Sequence, residues 1–197
     1  MKISMTMESM KGRLKDRLKE SRYLHSLGVA ETSVQLAVRF GVDQEKAYLA
    51  GLLHDCAREF ENDQLLLEAE ERGIPVGEVE RAMPLLLHSY VGAKYVSECY
   101  GVEDAEISQA IARHTVGGSS MTDLDKIVYF ADMIEPNRDY PGVENLRKLS
   151  REVSLNEMVF QGLNRSILFV AEKGHLIHPA TVQARNELLL KMKFQGR

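Results

Sequence analysis

Gly51-Leu52-Leu53-His54-Asp55-Cys56-Ala57-Arg58 ends a run of apolar residues on a His-Asp dipeptide. Working upstream, Ala47, Ala50 and Leu53 fall on one helical face behind Asp43, an N-cap type of residue, so His54 and Asp55 are predicted near the C-terminal end of a helix. Adjacent helical side chains diverge by about 100°, so both can reach one ion only near a helix end or with the ion between them. His25 lies well upstream and Asp132 well downstream, each in a helix-like segment. Two imidazoles and two carboxylates in the order His, His-Asp, Asp are a workable cage for a divalent metal, and mixed His/Asp sets suit hydrolytic or oxygen-activating centres.

The other segments also read as helix. Residues Glu8 to Glu20 are charged with sparse apolar positions, a solvated first helix. From Arg22 to Phe40, Leu24, Leu27, Ala30, Val34 and Ala37 recur at three- and four-residue spacing up to Gly41. Further helices are predicted over about Asp63–Arg72, Leu86–Tyr100 with His88 in the first turn, and Ala105–His114 capped by Asp104. Thr115 to Ser120, with Gly117-Gly118, reads as a flexible loop. Thr122 and Asp125 approximate a capping box for the helix that carries Leu124, Ile127, Val128, Ala131 and, on its last turn, Asp132. A loop follows over Asn137–Gly142, a second capping box at Ser154 and Glu157 opens a helix to Glu172, and a last helix starts near Pro179. No alternating strand pattern of useful length or internal repeat is present, so the fold class is all-α, a helical bundle.

The 197 residues fit one domain, 1–197, by length. With 25 Lys and Arg against 29 Asp and Glu the net charge is −4, so nothing global favours nucleic acid or an anionic membrane. Cys56 and Cys99 make no Cys-x-x-Cys motif or disulfide framework, which suits a reducing cytoplasm. No stretch approaches the roughly 18 apolar residues of a membrane helix, and the N-terminus carries no secretory signal, so a soluble, unprocessed protein is expected.

Four segments together are more specific than the dipeptide: Arg22-Tyr23-Leu24-His25-Ser26-Leu27-Gly28-Val29-Ala30, Gly51 to Arg58, Ala131-Asp132-Met133-Ile134-Glu135-Pro136-Asn137-Arg138, and His178-Pro179-Ala180-Thr181-Val182-Gln183-Ala184-Arg185-Asn186. The order His25, His54-Asp55, Asp132 resembles the HD-domain superfamily of metal-dependent phosphohydrolases, and the four segments resemble its YqeK group, symmetrical diadenosine tetraphosphate hydrolases that use iron and release two ADP. The resemblance implies an HD-domain bundle with its metal-binding core at about 22–135 and residues 136–197 completing the nucleotide site. It implies His25, His54, Asp55 and Asp132 as metal ligands, and Asp55, His88 and His114 as catalytic, the two histidines holding a second ion or phosphate. Arg22, Arg58, His88, His114 and Arg138 become candidates for the phosphate chain, and His178, Thr181 and Arg185, within Lys173–Arg185, for enclosing the nucleoside. Iron enters from the resemblance alone; Mn, Co, Ni and Zn suit the same donors, and one or two ions fit. A homodimer is compatible with a compact helical domain.

Each residue also has a plainer reading. A lone His on a helix is more often hydrogen-bonded or exposed than a ligand, and Arg22 and Arg58 taken singly read as solvated charges. Asp55 directly after Leu52-Leu53 would be costly to bury unpaired, as would Asp132 on an apolar face. Cys56 reads as a small packing residue, and Gly117-Gly118 as punctuation, since no helix follows it in the manner of a phosphate-binding loop. Competing functions are hydrolysis of another nucleotide or alarmone, and a metal-stabilised nucleotide sensor without turnover.

Overall fold

The computed structural model describes residues 1–194; the last three residues of the 136–197 stretch lie outside the described residues. Eleven α-helices follow one another among the described residues: α1 (Met7–Arg17), α2 (Glu20–Phe40), α3 (Gln44–Leu53), α4 (Asn62–Glu71), α5 (Glu78–Ala82), α6 (Leu87–Glu98), α7 (Ala105–Arg113), α8 (Asp123–Ile134), α9 (Val143–Glu152), α10 (Leu155–Glu172) and α11 (Pro179–Phe194). A 3-10 turn at Pro84–Leu86 precedes α6. The all-α reading holds, with one short addition. Lys2–Ile3 pairs antiparallel with Val102–Glu103, a ladder too short to leave any alternation in the sequence.

Local chemistry sets the helix ends. Asp43 accepts from the backbone N–H groups of Glu45 and Lys46 at 2.9 and 3.0 Å, and Asp104 caps α7 in the same way through Glu106 and Ile107. Thr122 and Asp125 form the expected capping box, each side chain accepting from the other's backbone N–H; such a cap contributes about 1 kcal/mol. At Ser154 only the forward half of the expected box forms, Ser154 Oγ accepting from Glu157 N at 3.3 Å. The first helix stops at Arg17 rather than continuing to Glu20. Leu18 leaves helical geometry (φ −94°, ψ 149°) and its side chain is buried in the core, so α2 starts afresh at Glu20.

Two close approaches position the site. α3 lies so near α2 that a Cβ on Gly51 would stand 2.9 Å from Ala30 Cα and 2.8 Å from Ser33 Oγ, so glycine is what lets the His54 end of α3 meet the His25 end of α2. α8 packs on both, its Ile127, Val128, Phe130 and Ala131 fully buried, and delivers Asp132 to the same place. The 115–120 loop departs from expectation. Val116, Gly117 and Gly118 are buried, and Ala184 Cβ of α11 sits 3.3 Å from where a Gly117 side chain would begin, so the glycines serve close packing of α11.

Candidate metal centre

After Leu53 the chain tightens from i,i+4 to i,i+3 hydrogen bonding, Cys56 N donating to Leu53 O at 3.0 Å and Arg58 N to Asp55 O at 2.9 Å. This turn lets adjacent side chains converge: His54 Nε2 and Asp55 Oδ2 are 3.4 Å apart. His25 Nε2 comes within 3.2 Å of His54 Nε2, and Asp132 Oδ1 lies 2.9 Å from His25 Nε2 and 3.8 Å from His54 Nε2. All four residues expected as ligands therefore meet.

A second pair of imidazoles joins from the other side. His88 on α6 and His114 at the end of α7 place their Nε2 atoms 3.1 Å apart, and these lie 3.2 and 3.7 Å from Asp55 Oδ1. Asp55 is thus shared, one oxygen toward His25 and His54 and the other toward His88 and His114. The donor chemistry fits a cation on both sides. Every Nδ1–H is already committed: His54 to Gly51 O at 2.7 Å, His88 to Leu85 O at 2.5 Å, His114 to Ile111 O at 2.7 Å, and His25 to Glu135 Oε1 at 3.0 Å. With Nδ1 occupied, each ring turns its Nε2 inward, and two Nε2 atoms about 3 Å apart repel unless a proton or metal ion lies between them.

Electrostatics favours anionic carboxylates and, at His88, neutral imidazole. Burial pushes the Asp55 carboxyl up, but His54, His114 and His88 outweigh it and hold it well below the usual carboxylate range. For Asp132, burial is likewise outweighed, by His25 and Arg138. Burial lowers His88 despite Asp55 beside it, so that ring stays a neutral donor. Cys56 is fully buried and its thiol is pushed up by burial, which agrees with a packing role.

Arginines border the carboxylates. Arg22 Nη1 donates to Asp55 Oδ2 at 2.9 Å; Arg138 donates through Nε to Asp132 O at 2.7 Å and through Nη2 to Asp132 Oδ1. Arg58 shares a cleft of about 410 Å³ with Arg22, and burial lowers its guanidinium despite Asp55 nearby. His178 donates from Nε2 to Glu80 Oε1 at 2.8 Å, and Thr181 Oγ1 donates to Val116 O at 2.9 Å; both line a cavity that reaches Thr115. Arg185 is not brought to this place. Its guanidinium bonds Asn164 Oδ1 at 3.0 Å and lies over the Phe160 ring, because position 185 falls on the side of α11 turned along α10.

Sequence reasoning missed Glu135. It is 1% exposed; besides His25 it accepts, at Oε2, from Asn137 N at 2.7 Å and Asn137 Nδ2 at 2.9 Å. It lies in the Asp132–Arg138 segment directly before Pro136, where no local pattern signals a contact with His25.

A family model described as HD domain matches residues 22–137. The chain belongs to the HD domain family. Its match spans His25, His54, Asp55, His88, His114 and Asp132, the residues of the cluster. It is 39% identical over 180 residues to a protein from Halalkalibacterium halodurans named "Bis(5'-nucleosyl)-tetraphosphatase, symmetrical", covering 91% of this chain and 95% of that protein. A Bacillus subtilis protein of the same name is 38% identical, with 89% and 94% covered. A crystal structure from Clostridium acetobutylicum, described as a predicted HD superfamily hydrolase involved in NAD metabolism, superposes with a TM-score of 0.91 at 36% identity over 94% of this chain and 98% of that one.

Proposed function

We propose that this HD protein hydrolyses diadenosine tetraphosphate symmetrically, to two ADP. One observation carries the reading: two imidazole pairs face a single shared carboxylate, Asp55, in a chain whose near-full-length relatives are named symmetrical tetraphosphatases. We read His25, His54, Asp55 and Asp132 as ligands of one divalent ion, and Asp55, His88 and His114 as donors for a second ion or for phosphate. A divalent ion there supplies Lewis acidity toward water and the phosphoryl oxygens. Family resemblance favours iron, while Mn, Co, Ni and Zn remain acceptable to the same donors.

The protein's own groups bind and orient. Water attacks the second phosphorus from one adenosine, the bridging P–O bond to the third phosphorus breaks, and ADP departs with the bridging oxygen. Arg22, Arg58 and Arg138 face the phosphate chain and compensate charge on that oxygen. Arg138 reaches Asp132 and lies 3.5 Å from His25 Nε2, so it borders the reacting phosphate rather than a distant one. His178 and Thr181 border a nucleoside, and the helices after residue 135 complete the nucleotide site over the 22–135 core. No described helix is long and apolar enough to cross a membrane, which suits a cytoplasmic nucleotide substrate.

Product analysis tests the reading: protein reloaded with Fe, Mn or Co is incubated with diadenosine tetraphosphate and the products are separated by anion exchange. ADP alone supports it. AMP with ATP keeps a hydrolase but moves the attack, and tight binding without product under any metal makes the protein a sensor.

A further inference from the structure

Besides the Arg22–Arg58 cleft, two cavities open beside the cluster. One, of about 180 Å³, runs from Thr115 to Leu176, His178 and Thr181 and is the nucleoside place already proposed. The other, of about 300 Å³, is lined by Asp132, Met133, Arg138, Tyr140, Arg165 and Phe169. Ser166 and Phe169, one turn apart on α10, line both, so a single ridge separates them.

Each cavity touches a different half of the cluster. The larger one ends on Asp132, which faces His25 and His54. The smaller one reaches Thr115, whose Oγ1 lies 3.3 Å from His88 Nε2 and 3.1 Å from His114 Nε2. Asp55 stands between the halves. The larger cavity has what a nucleobase needs: two aromatic rings and a methionine on the walls and an arginine at the phosphate end. Its Tyr140 ring is fixed, Oη donating to Met133 O at 2.8 Å, and Arg165 is held by Pro141 O at 2.9 Å. Phe169 is 52% exposed, a large apolar ring left in water at the mouth of both cavities.

We propose that the Tyr140–Phe169 cavity binds the second nucleoside of a dinucleoside polyphosphate. The substrate lies folded over the Phe169 ridge, one base on each side, and its phosphate chain loops across the cluster. The inference rests on the hydrolase reading and deepens it. Each nucleoside is anchored beside its own half of the cluster, so the reacting bond is set at equal distance from both ends, and symmetrical cleavage follows from the placement of two pockets.

The test compares metal-loaded wild type, Tyr140→Ala and Tyr140→Phe on diadenosine tetraphosphate and on adenosine 5'-tetraphosphate, which has one nucleoside. Loss of base stacking raises KM for the two-nucleoside substrate roughly five- to a hundredfold in Tyr140→Ala. On adenosine tetraphosphate, free to use the smaller cavity, Tyr140→Ala is expected to lose far less than on the two-nucleoside substrate, and Tyr140→Phe, which keeps the ring but not its hydrogen bond to Met133 O, is expected to fall between wild type and Tyr140→Ala on diadenosine tetraphosphate. Equal losses on the two substrates overturn the proposal while leaving the hydrolase reading intact. Equilibrium binding of ADP to metal-loaded wild type decides independently of turnover and of how the variant folds: two ADP per chain support a second nucleoside site, and one excludes it.

Discussion

His25 Nδ1 lies 3.0 Å from Oε1 of Glu135, a carboxylate buried to 1% exposure and fixed at its other oxygen by Asn137. A carboxylate can only accept, so this contact keeps a proton of His25 on Nδ1 and turns Nε2 toward the cluster, where a bound cation would replace a proton shared with Asp132 Oδ1. It is the one histidine of the cluster oriented by a side chain rather than a backbone carbonyl, hence the one whose donor quality a single substitution can change. Glu135→Ala is expected to weaken metal binding about 10- to 100-fold. Glu135→Gln, which still offers an acceptor, loses less. Chelator competition with a metal-sensitive dye reads both, and unchanged affinity in Glu135→Ala refutes the positioning role.

Asp55 faces all four imidazoles, so its removal cannot be compensated from one side. Asp55→Asn keeps volume but removes the charge that the histidines stabilise, and is expected to lose most bound metal and all measurable hydrolysis. Metal content by elemental analysis after gel filtration is the check. A variant that retains full occupancy and turnover would show that Asp55 is no ligand.

Arg138 has two contacts with Asp132, one to the backbone and one to the carboxylate. Arg138→Ala is expected to raise KM about 10- to 100-fold, the range for losing hydrogen bonds to a charged group, with a smaller fall in kcat. A fall in kcat at constant KM would place the guanidinium's effect in the transition state alone.

The parts of this site written in short segments were legible and the parts assembled by packing were not. Asp43, Thr122 and Asp104 announced the helix starts because a cap needs only residues a few positions apart. His25, His54, Asp55 and Asp132 were legible as a set because their order along the chain resembles the HD pattern, and the HD domain match spans all four positions. Glu135 was invisible because its meaning lies in a contact 110 residues away in sequence. Arg185 is the opposite case: it sits in a segment that resembles the family, and the turn of α11 directs its guanidinium to Asn164, a contact the sequence does not announce. The break at Leu18 was masked by charges on both sides, since burial of one leucine outweighed helix propensity there.

The Glu80–His178 pair ties α5 to the start of α11 and should make this attachment acid-sensitive. Burial raises the Glu80 carboxyl, but the His178 hydrogen bond together with backbone hydrogen bonds outweighs it and holds the group below its ordinary 4.5. A carboxyl lowered on folding stabilises the fold above its unfolded value, and that contribution fades as pH falls through the folded value. The wild type should therefore melt above Glu80→Gln at neutral pH, and the gap in Tm should close as pH falls below 4.5. A gap that stays constant across the titration would assign the pair no charge-dependent role.

Gly28 offers a way to disturb Glu135 without touching it. A Cβ at position 28 of α2 would stand 3.2 Å from Glu135 Cδ and 3.3 Å from Asn137 Nδ2, and closer still to Glu135 Oε2. The atoms in the way belong to side chains, whereas the Gly51 neighbours include backbone, so the carboxylate gives way before the helix does. Gly28→Ala is thus expected to fold, to lower metal affinity about as much as Glu135→Ala, and to add little to it in the double variant, since residues sharing one contact do not act independently. Chelator competition on the two single variants and the double variant measures this. Fully additive losses would mean that Gly28 serves the packing of α2 alone and that the His25–Glu135 contact survives the added methyl group.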